Sequence, residues 1–166
     1  MRNNPAISVV MSVYNAAAFL SKSIDSIITQ TFLNFEFILI DDGSKDDSYQ
    51  LMHKYEEDDP RIICIKNKQN LGLPASLNIG IAKAKGKYIA RQDADDYSFP
   101  DRLQKQFDFM EENPSIDLCG TNCRRVDIEG NVIFEKTIYA KIKDYKSFLF
   151  ERKSIFPHGS AFMRTE

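Results

Sequence analysis

The sequence predicts an α/β fold in which a mainly parallel central sheet carries helices on both faces. Four short apolar runs recur at nearly even spacing, and segments with the apolar period of an amphipathic helix fill the gaps between them. An alternation of this kind favours right-handed crossovers and a parallel sheet. The four predicted strands are Ile7 to Val13, Phe35 to Ile40, Ile62 to Ile65 and Tyr88 to Ala90.

Three helices are predicted from apolar side chains that repeat every three or four residues. Their members are Leu20, Ile24, Ile27, Ile28 and Thr31; Leu73, Leu77, Ile81 and Ala84; and Leu103, Phe107 and Met110. Ser44 and Ser98 each open a four-residue segment that ends in aspartate and resembles a capping box. We therefore expect both serines to cap the helices that follow them.

The pattern changes after Asn113-Pro114. Ile116 to Val126 and Asn131 to Phe134 have the composition of strands, and Glu129-Gly130-Asn131 supplies a turn between them, so we expect a C-terminal β-hairpin. Further on, Lys143 to Phe150 is predicted to form a short helix and Ser160 to Met163 another strand.

Composition excludes several classes of protein. The formal net charge of −2 gives no basic surplus, so nucleic acid is not an expected partner. No apolar run approaches the roughly 20 residues that a membrane-spanning helix needs, and the first residues lack a signal peptide, so a cytoplasmic location is expected. Cys119 and Cys123 are four apart in a predicted strand, roughly 13 Å, which is too far for a disulfide.

Candidate site residues follow the strands, where open α/β sheets bind ligands. Ser12, Tyr14 and Asn15 come at the end of the first strand; a tyrosine ring can stack on a nucleobase, and an asparagine can order a turn. Taken alone, ordinary turn chemistry is the simpler explanation of these residues.

Two further strand ends carry polar residues. Asp41 and Asp42 precede Gly43 after the second strand, where one carboxylate could accept hydrogen bonds from a base or a ribose, or could only order the turn. Asn70 and Gly72 follow the third strand on the loop that opens the next helix, and helix N-termini attract phosphate.

The strongest signal follows the fourth strand, where Asp93, Asp95 and Asp96 place three carboxylates within four residues. Such carboxylates repel one another unless a cation lies among them, and oxygen ligands suit Mg²⁺ or Mn²⁺. In an extended chain Asp93 and Asp95 would point to one side. A solvated acidic loop remains the alternative; the position after a buried strand favours the metal site.

Together these motifs resemble those of the family 2 inverting glycosyltransferases over residues 6 to about 124. The matching segments are Val10 to Asn15, Gln30 to Phe32, Asp41 to Ser44, Asn70 to Pro74, Gly86 to Asp96 and Pro100 to Leu103. The resemblance implies a GT-A fold with a Rossmann-like nucleotide-binding half. It also implies a nucleotide-diphosphate sugar donor, most often UDP-linked, and Mn²⁺ or Mg²⁺ as cofactor.

The resemblance also implies roles for individual residues. Tyr14 would stack on the base, Asp42 would bind it, and Ser12 and Asn15 would line the same pocket. Asn70 is also expected among the nucleotide-binding residues. Two further residues concern the metal: Asp95 would be its principal ligand, and Asp93 would lie near the ribose or the metal. Asp96 suits a structural role equally well.

The sequence departs from the family pattern at two points. Leu77 stands where many members have an arginine, whose contact with the diphosphate would pass to Arg91 or Lys66. The acidic catalytic base of the family is expected beyond residue 166. We therefore interpret residues 1–166 as a single, C-terminally truncated GT-A domain, with the nucleotide-sugar-binding repeats in 6–112 and the start of the acceptor-side region in 113–166.

The implied reaction is transfer of a sugar, with inversion, to a hydroxyl of a glycan or lipid-linked acceptor, as in polysaccharide biosynthesis. Lipid-linked acceptors would place the protein at the inner face of a membrane by peripheral association. The alternative is a non-catalytic nucleotide-binding or regulatory module on the same fold. A nucleotidyltransferase is disfavoured because residues 15–18 contain neither glycine nor lysine.

Overall fold

A six-stranded, mainly parallel sheet with helices on both faces forms the centre of the chain, which confirms the predicted fold class. The computed structural model describes residues 4–136 and 157–165. The strands are β1 (Ile7–Val13), β2 (Phe35–Asp41), β3 (Ile62–Lys66), β4 (Tyr88–Asp93), β5 (Leu118–Cys119), β6 (Cys123–Val126), β7 (Val132–Lys136) and β8 (Phe162–Arg164). The helices are α1 (Ala17–Ile28), α2 (Ser48–Asp58), α3 (Leu73–Lys83) and α4 (Arg102–Glu112).

The order of the strands determines which strand ends lie side by side in the sheet. The sheet runs β3-β2-β1-β4-β8-β5, and β1 pairs in parallel with both β2 and β4. The chain therefore reverses its direction of travel across the sheet between β1 and β4. Ser12 lies opposite Asp93 in one pairing, and Val13 lies opposite Asp41 in the other, so the three strands end at the same level.

The last described segment returns to the centre of the sheet. Strand β8 is antiparallel to β4 and to β5, and the Arg91 N–H donates to the Ala161 carbonyl across 2.8 Å. A short 3-10 helix, His158–Ser160, precedes β8. The carboxyl end of β4 therefore lies beside this 3-10 helix, although the two are about 65 residues apart in sequence.

Apolar side chains fill both faces of the sheet. On one face the largest cluster joins alternate residues of β1 with buried residues of α1, α2 and α4, such as Ile24, Met52 and Leu103. On the other face Val10, Ile38, Ile40 and Ile89 pack with Leu77 of α3. Strands β1 and β2 are buried on both faces, which is why their sequences are almost continuously apolar.

The prediction that Ser44 and Ser98 cap helices is wrong. Both α2 and α4 begin four residues after these serines, and neither has a side-chain cap. The Ser44 hydroxyl instead accepts from the Asn15 N–H (3.0 Å), and the Ser98 hydroxyl donates to Gln92 (2.7 Å). Ser44 thus joins the loops after β1 and β2, and Ser98 is bonded to a side chain of β4; such contacts compete with capping.

The prediction of one strand from Ile116 to Val126 is also wrong. Strand β5 pairs with β8 in the main sheet, whereas β6 pairs with β7 in a separate two-stranded sheet, and Gly120 lies in the break. The predicted hairpin itself is confirmed as β6–β7, with Gly130 at a φ of +90° in its turn.

Three further expectations concern the last strand, a predicted helix and the cysteines. Ser160 lies in the 3-10 helix, so the last strand begins two residues later than predicted. The helix expected from Lys143 to Phe150 lies outside the described residues. Cys119 and Cys123 are free thiols, as is Cys64, and burial raises the pKa of Cys64 to about 12.

No helix within residues 4–136 and 157–165 combines the length and the apolar composition that crossing a bilayer requires.

We predict that Gly86→Ala destabilises the fold by about 3 kcal/mol. A Cβ atom at Gly86 would lie 2.5 Å from the Ser8 nitrogen and 2.7 Å from the Ile7 carbonyl carbon, both in the backbone of β1. Urea unfolding measures the loss. The control is Gly130→Ala, where nothing lies within 4 Å and only the positive φ is strained; an equal loss in both variants would contradict the steric explanation.

Candidate functional site

The loops after β1, β2 and β3 are joined to one another by hydrogen bonds. Asn15, at a φ of +49°, accepts from the Lys45 N–H through its side-chain oxygen (2.8 Å). Gly43 has a φ of +73°, and a Cβ there would lie 2.7 Å from the backbone of Gln69. Only glycine therefore allows the loops after β2 and β3 to approach this closely.

Asp42 holds the loop after β3 in place. Its carboxylate, 2% exposed, accepts from the backbone N–H groups of Leu71 (2.8 Å) and Gly72 (2.9 Å) and from the Asn67 side chain (2.9 Å). Burial alone would raise the pKa of Asp42, but hydrogen bonds from these groups and from Ser76 lower it overall. The carboxylate is therefore an ionised anchor for the N-terminus of α3.

The remaining predicted nucleotide-binding residues lie at the same edge. Ser12 is half-buried near the end of β1, and Tyr14 follows with 45% of its surface exposed, so its ring is accessible. Asn70 is exposed and accepts from the Gly72 N–H (3.1 Å). The structure thus brings Ser12, Tyr14, Asn15, Asp42 and Asn70 to one edge of the sheet.

The acidic segment after β4 forms a turn. The Asp96 N–H donates to the Asp93 carbonyl across 3.3 Å, so the chain is not extended here, and the alternation expected of an extended chain does not apply to Asp93 and Asp95. The turn brings Asp93 and Asp96 together instead. Partial desolvation, followed by repulsion from Asp93 and Asp95, raises the pKa of Asp96.

The carboxylates of Asp93 and Asp96 meet at Gly159. A Cβ atom on Gly159 would lie 2.6 Å from Asp93 Oδ2 and 2.7 Å from Asp96 Oδ2. Two acidic oxygens therefore share one small space, and the missing side chain of Gly159 leaves that space open. Asp95 is exposed on the same turn.

Cationic and neutral donors surround this pair. Arg91, 5% exposed, forms a bidentate ion pair with Asp93, with Nη1 3.0 Å from Oδ2. Burial and the nearby Arg91 lower the pKa of His158, against an opposing effect of Asp93, so the imidazole is neutral at pH 7. Arg91, His158 and Leu77 line one cavity of about 80 Å³ beside β4.

The carboxylate oxygens of Asp93 and Asp96 suit a divalent cation whose coordination shell is completed by the substrate. Within residues 4–136 and 157–165, no group of three or more His, Cys, Asp or Glu side chains is arranged to hold a metal. Mg²⁺ commonly takes only one or two protein carboxylates and fills its shell with water and substrate phosphates. A pair of carboxylates at an open turn is sufficient for a site of that kind.

Four residues of this site carried no role in the sequence-based prediction: Gln92, Arg102, His158 and Gly159. Gln92 and Arg102 lie behind the acidic turn, and His158 and Gly159 reach it from the segment before β8. The nearness of His158 and Gly159 to Asp93 depends on the pairing of β8 with β4, which local sequence does not encode.

Comparison with known proteins identifies the family. The model of the family described as "Glycosyl transferase family 2" matches residues 8–166. An uncharacterized glycosyltransferase of Methanocaldococcus jannaschii is 39% identical over 99% of the chain and 57% of its own length. The putative glycosyltransferase EpsE of Bacillus subtilis is 44% identical over 73% of the chain and 44% of its own length. The chain thus spans about half the length of these curated relatives.

Solved structures show the same fold. TarS 1-349 of S. aureus in complex with UDP superposes with a TM-score of 0.76 at 21% identity, over 96% of this chain and 46% of that one. The mannosyltransferase PcManGT of Pyrobaculum calidifontis in complex with GDP-Man and Mn²⁺ gives a TM-score of 0.71 at 16% identity, over 98% and 45%. At these identities the likeness concerns the fold alone.

The family model covers nearly the whole chain, and the fold and the curated relatives agree with it. The chain belongs to glycosyltransferase family 2 and has the GT-A fold.

Proposed function

We propose that this chain binds a nucleotide-diphosphate sugar, UDP-linked, together with Mn²⁺ or Mg²⁺. The full protein then transfers the sugar, with inversion, to a hydroxyl of a glycan or lipid-linked acceptor. The observation that carries the proposal is the meeting of the Asp93 and Asp96 carboxylates at Gly159, at the point where the strand order reverses. Relatives in the family and the complexes of TarS and PcManGT support it.

The nucleoside is assigned to the loops after β1, β2 and β3. The exposed ring of Tyr14 offers a stacking surface, with Ser12 and Asn15 beside it. Asp42 already accepts from three groups of the loop after β3, so its first role is to shape the wall of the base pocket. A direct bond from a base to Asp42 would replace one of these donors.

The cation is assigned to the acidic turn, with Asp95 as principal ligand and Asp93 beside it. When bound, the cation would supply Lewis-acid stabilisation of the negative charge that develops on the departing diphosphate. Asp95 is exposed and shares the turn with the Asp93 and Asp96 pair. Beyond holding the cation, the Asp93 carboxylate keeps the Arg91 guanidinium fixed at the edge of the site.

Arg91 supplies the positive charge that many family members have at the position of Leu77. Leu77 stands at the position where the family pattern has an arginine, and it lines the same cavity as Arg91 and His158. The guanidinium of Arg91 and a neutral imidazole N–H of His158 are donors that can act on diphosphate oxygens as charge develops there. In the proposed reaction the acceptor proton passes to an acidic catalytic base, which we expect beyond residue 166.

A panel of nucleotide sugars tests the proposal by thermal unfolding with and without Mn²⁺. A donor at about 100 times its Kd raises the free energy of unfolding by about 2.7 kcal/mol. We expect a UDP-sugar to stabilise the protein and the gain to require Mn²⁺. Equal melting temperatures across the whole panel, with and without Mn²⁺, would sink the proposal.

Asp95→Ala should weaken Mn²⁺-dependent UDP binding by roughly 100-fold, because it removes the proposed principal ligand. Calorimetry with UDP at saturating Mn²⁺ measures the change. Asp58→Ala, at the exposed C-terminal end of α2, makes the same change of charge and should bind as the unmodified protein does. Unchanged affinity in Asp95→Ala refutes this ligand assignment.

Gly159→Ala should leave the fold intact and yet lower Mn²⁺-dependent UDP affinity by about tenfold or more. The atoms nearest the new methyl group belong to the side chains of Asp93 and Asp96 and not to the backbone, and the methyl group occupies the space that their oxygens share. Thermal unfolding and calorimetry report the two effects separately. If UDP binds this variant normally, the carboxylates need not meet there for cation binding.

A further inference from the structure

The side chain of Gln92 joins both ends of the acidic turn from behind. Its Nε2 donates to the Asp96 carbonyl across 2.9 Å and lies 3.3 Å from the Asp93 carbonyl. The same amide is 3.3 Å from the Ser23 hydroxyl, which itself donates to the Asp93 carbonyl (2.8 Å). Gln92 is 1% exposed, so these bonds do not compete with water.

Arg102 determines which way the Gln92 amide faces. The Gln92 oxygen accepts from Arg102 Nη1 (2.6 Å) and from the Ser98 hydroxyl (2.7 Å). Two donors on the oxygen leave the amide –NH₂ no orientation except toward the turn. Arg102 is itself fixed, since its Nη2 donates to the Arg91 carbonyl (2.6 Å) and its Nε to Gln106 (3.0 Å).

The charge of Arg102 lies directly behind the acidic turn. Burial lowers the pKa of Arg102 to about 10, against the effect of Asp96, so the group stays protonated at neutral pH. A buried guanidinium with four bonded partners is a rigid support, because moving it would leave a charge uncompensated.

We propose that Gln92, oriented by Arg102, is a positioning residue for the acidic turn. Its amide pins the carbonyls of Asp93 and Asp96 and thereby sets the separation of their carboxylates at Gly159. In the part that concerns the cation, this inference rests on the proposed function. The ordering of the turn in the ligand-free protein does not depend on it.

The test is Gln92→Glu, which keeps the shape of the side chain and an oxygen for Arg102. The second oxygen of the new carboxylate faces the Asp93 and Asp96 carbonyls, so the bonds to the turn are lost while an ion pair with Arg102 preserves the fold. Gln92→Met is the second variant, because it removes the donor without adding charge. Gln104→Glu on α4 is the matched control, where a partly exposed amide donates to Asp108.

Two measurements are made on each variant. In the ligand-free protein we expect hydrogen exchange of the amides of residues 93–98 to quicken by about tenfold or more in both Gln92 variants and not in the control. We expect the ratio of UDP affinities with and without Mn²⁺ to fall by about tenfold in the same two variants. A residue that only stabilised the fold would lower the melting temperature without changing this ratio.

The outcomes separate the two proposals. If exchange in residues 93–98 is unchanged in Gln92→Glu and Gln92→Met, the positioning role is wrong, whatever happens to UDP. Faster exchange with an unchanged Mn²⁺ ratio also overturns it, since the ordered turn would then be irrelevant to the cation. If the unmodified protein binds UDP without any effect of Mn²⁺, the proposed metal site fails, while the exchange result still decides the ordering of the turn.

Discussion

The parallel pairing of β1 with both β2 and β4 is the constraint on which the rest of the site depends. It ends three buried strands at one level, with Ser12 opposite Asp93 and Val13 opposite Asp41. Strands in a sheet lie about 4.8 Å apart, so the groups that follow β2 and β4 are roughly 10 Å from each other across β1. That separation suits a ligand with a base at one end and a charged group at the other. The apolar packing of both faces supplies the rigidity that such a spacing needs.

Carboxylates that gather at a strand end need positive charge nearby, and in this chain two arginines supply it. Arg91 neutralises Asp93 from within the sheet, and Arg102 lies buried behind the turn. Desolvation, followed by repulsion from Asp93 and Asp95, raises the pKa of Asp96 in spite of the opposing effects of Arg91 and Arg102. This partial compensation of the negative charge is the electrostatic basis of the proposed cation site. A fully paired acidic turn would be only a structural salt bridge.

The sequence predicted correctly those elements whose pattern is contained in a run of neighbouring residues. Strand β1 was predicted to the residue because a run of apolar residues buried on both faces needs no partner to be recognised. The caps at Ser44 and Ser98 failed because their hydroxyls bind other groups: the N–H of Asn15, distant in sequence, and the side chain of Gln92 in β4. Asp93 and Asp96 could not be paired in advance, since their meeting depends on a turn and on Gly159, 63 residues after Asp96. The proposed role of Gln92 could not be predicted from the sequence either, because it follows from the hydrogen bonds that its side chain makes in the folded protein.

The position of Gly159 beside the acidic turn also affects where the chain can be divided into a nucleotide-sugar-binding part and an acceptor-side part. A boundary near residue 112 would assign the nucleotide-sugar site to the βα repeats alone. Yet the space between the two carboxylates is bounded by the 3-10 helix before β8, and Gln106 of α4 donates to the Ser160 carbonyl across 2.9 Å. The Thr121 N–H donates to the Ser160 hydroxyl as well. The 3-10 helix before β8 therefore borders the acidic turn, so a fragment ending at residue 112 would keep the predicted ligands and lose one side of the space between their carboxylates.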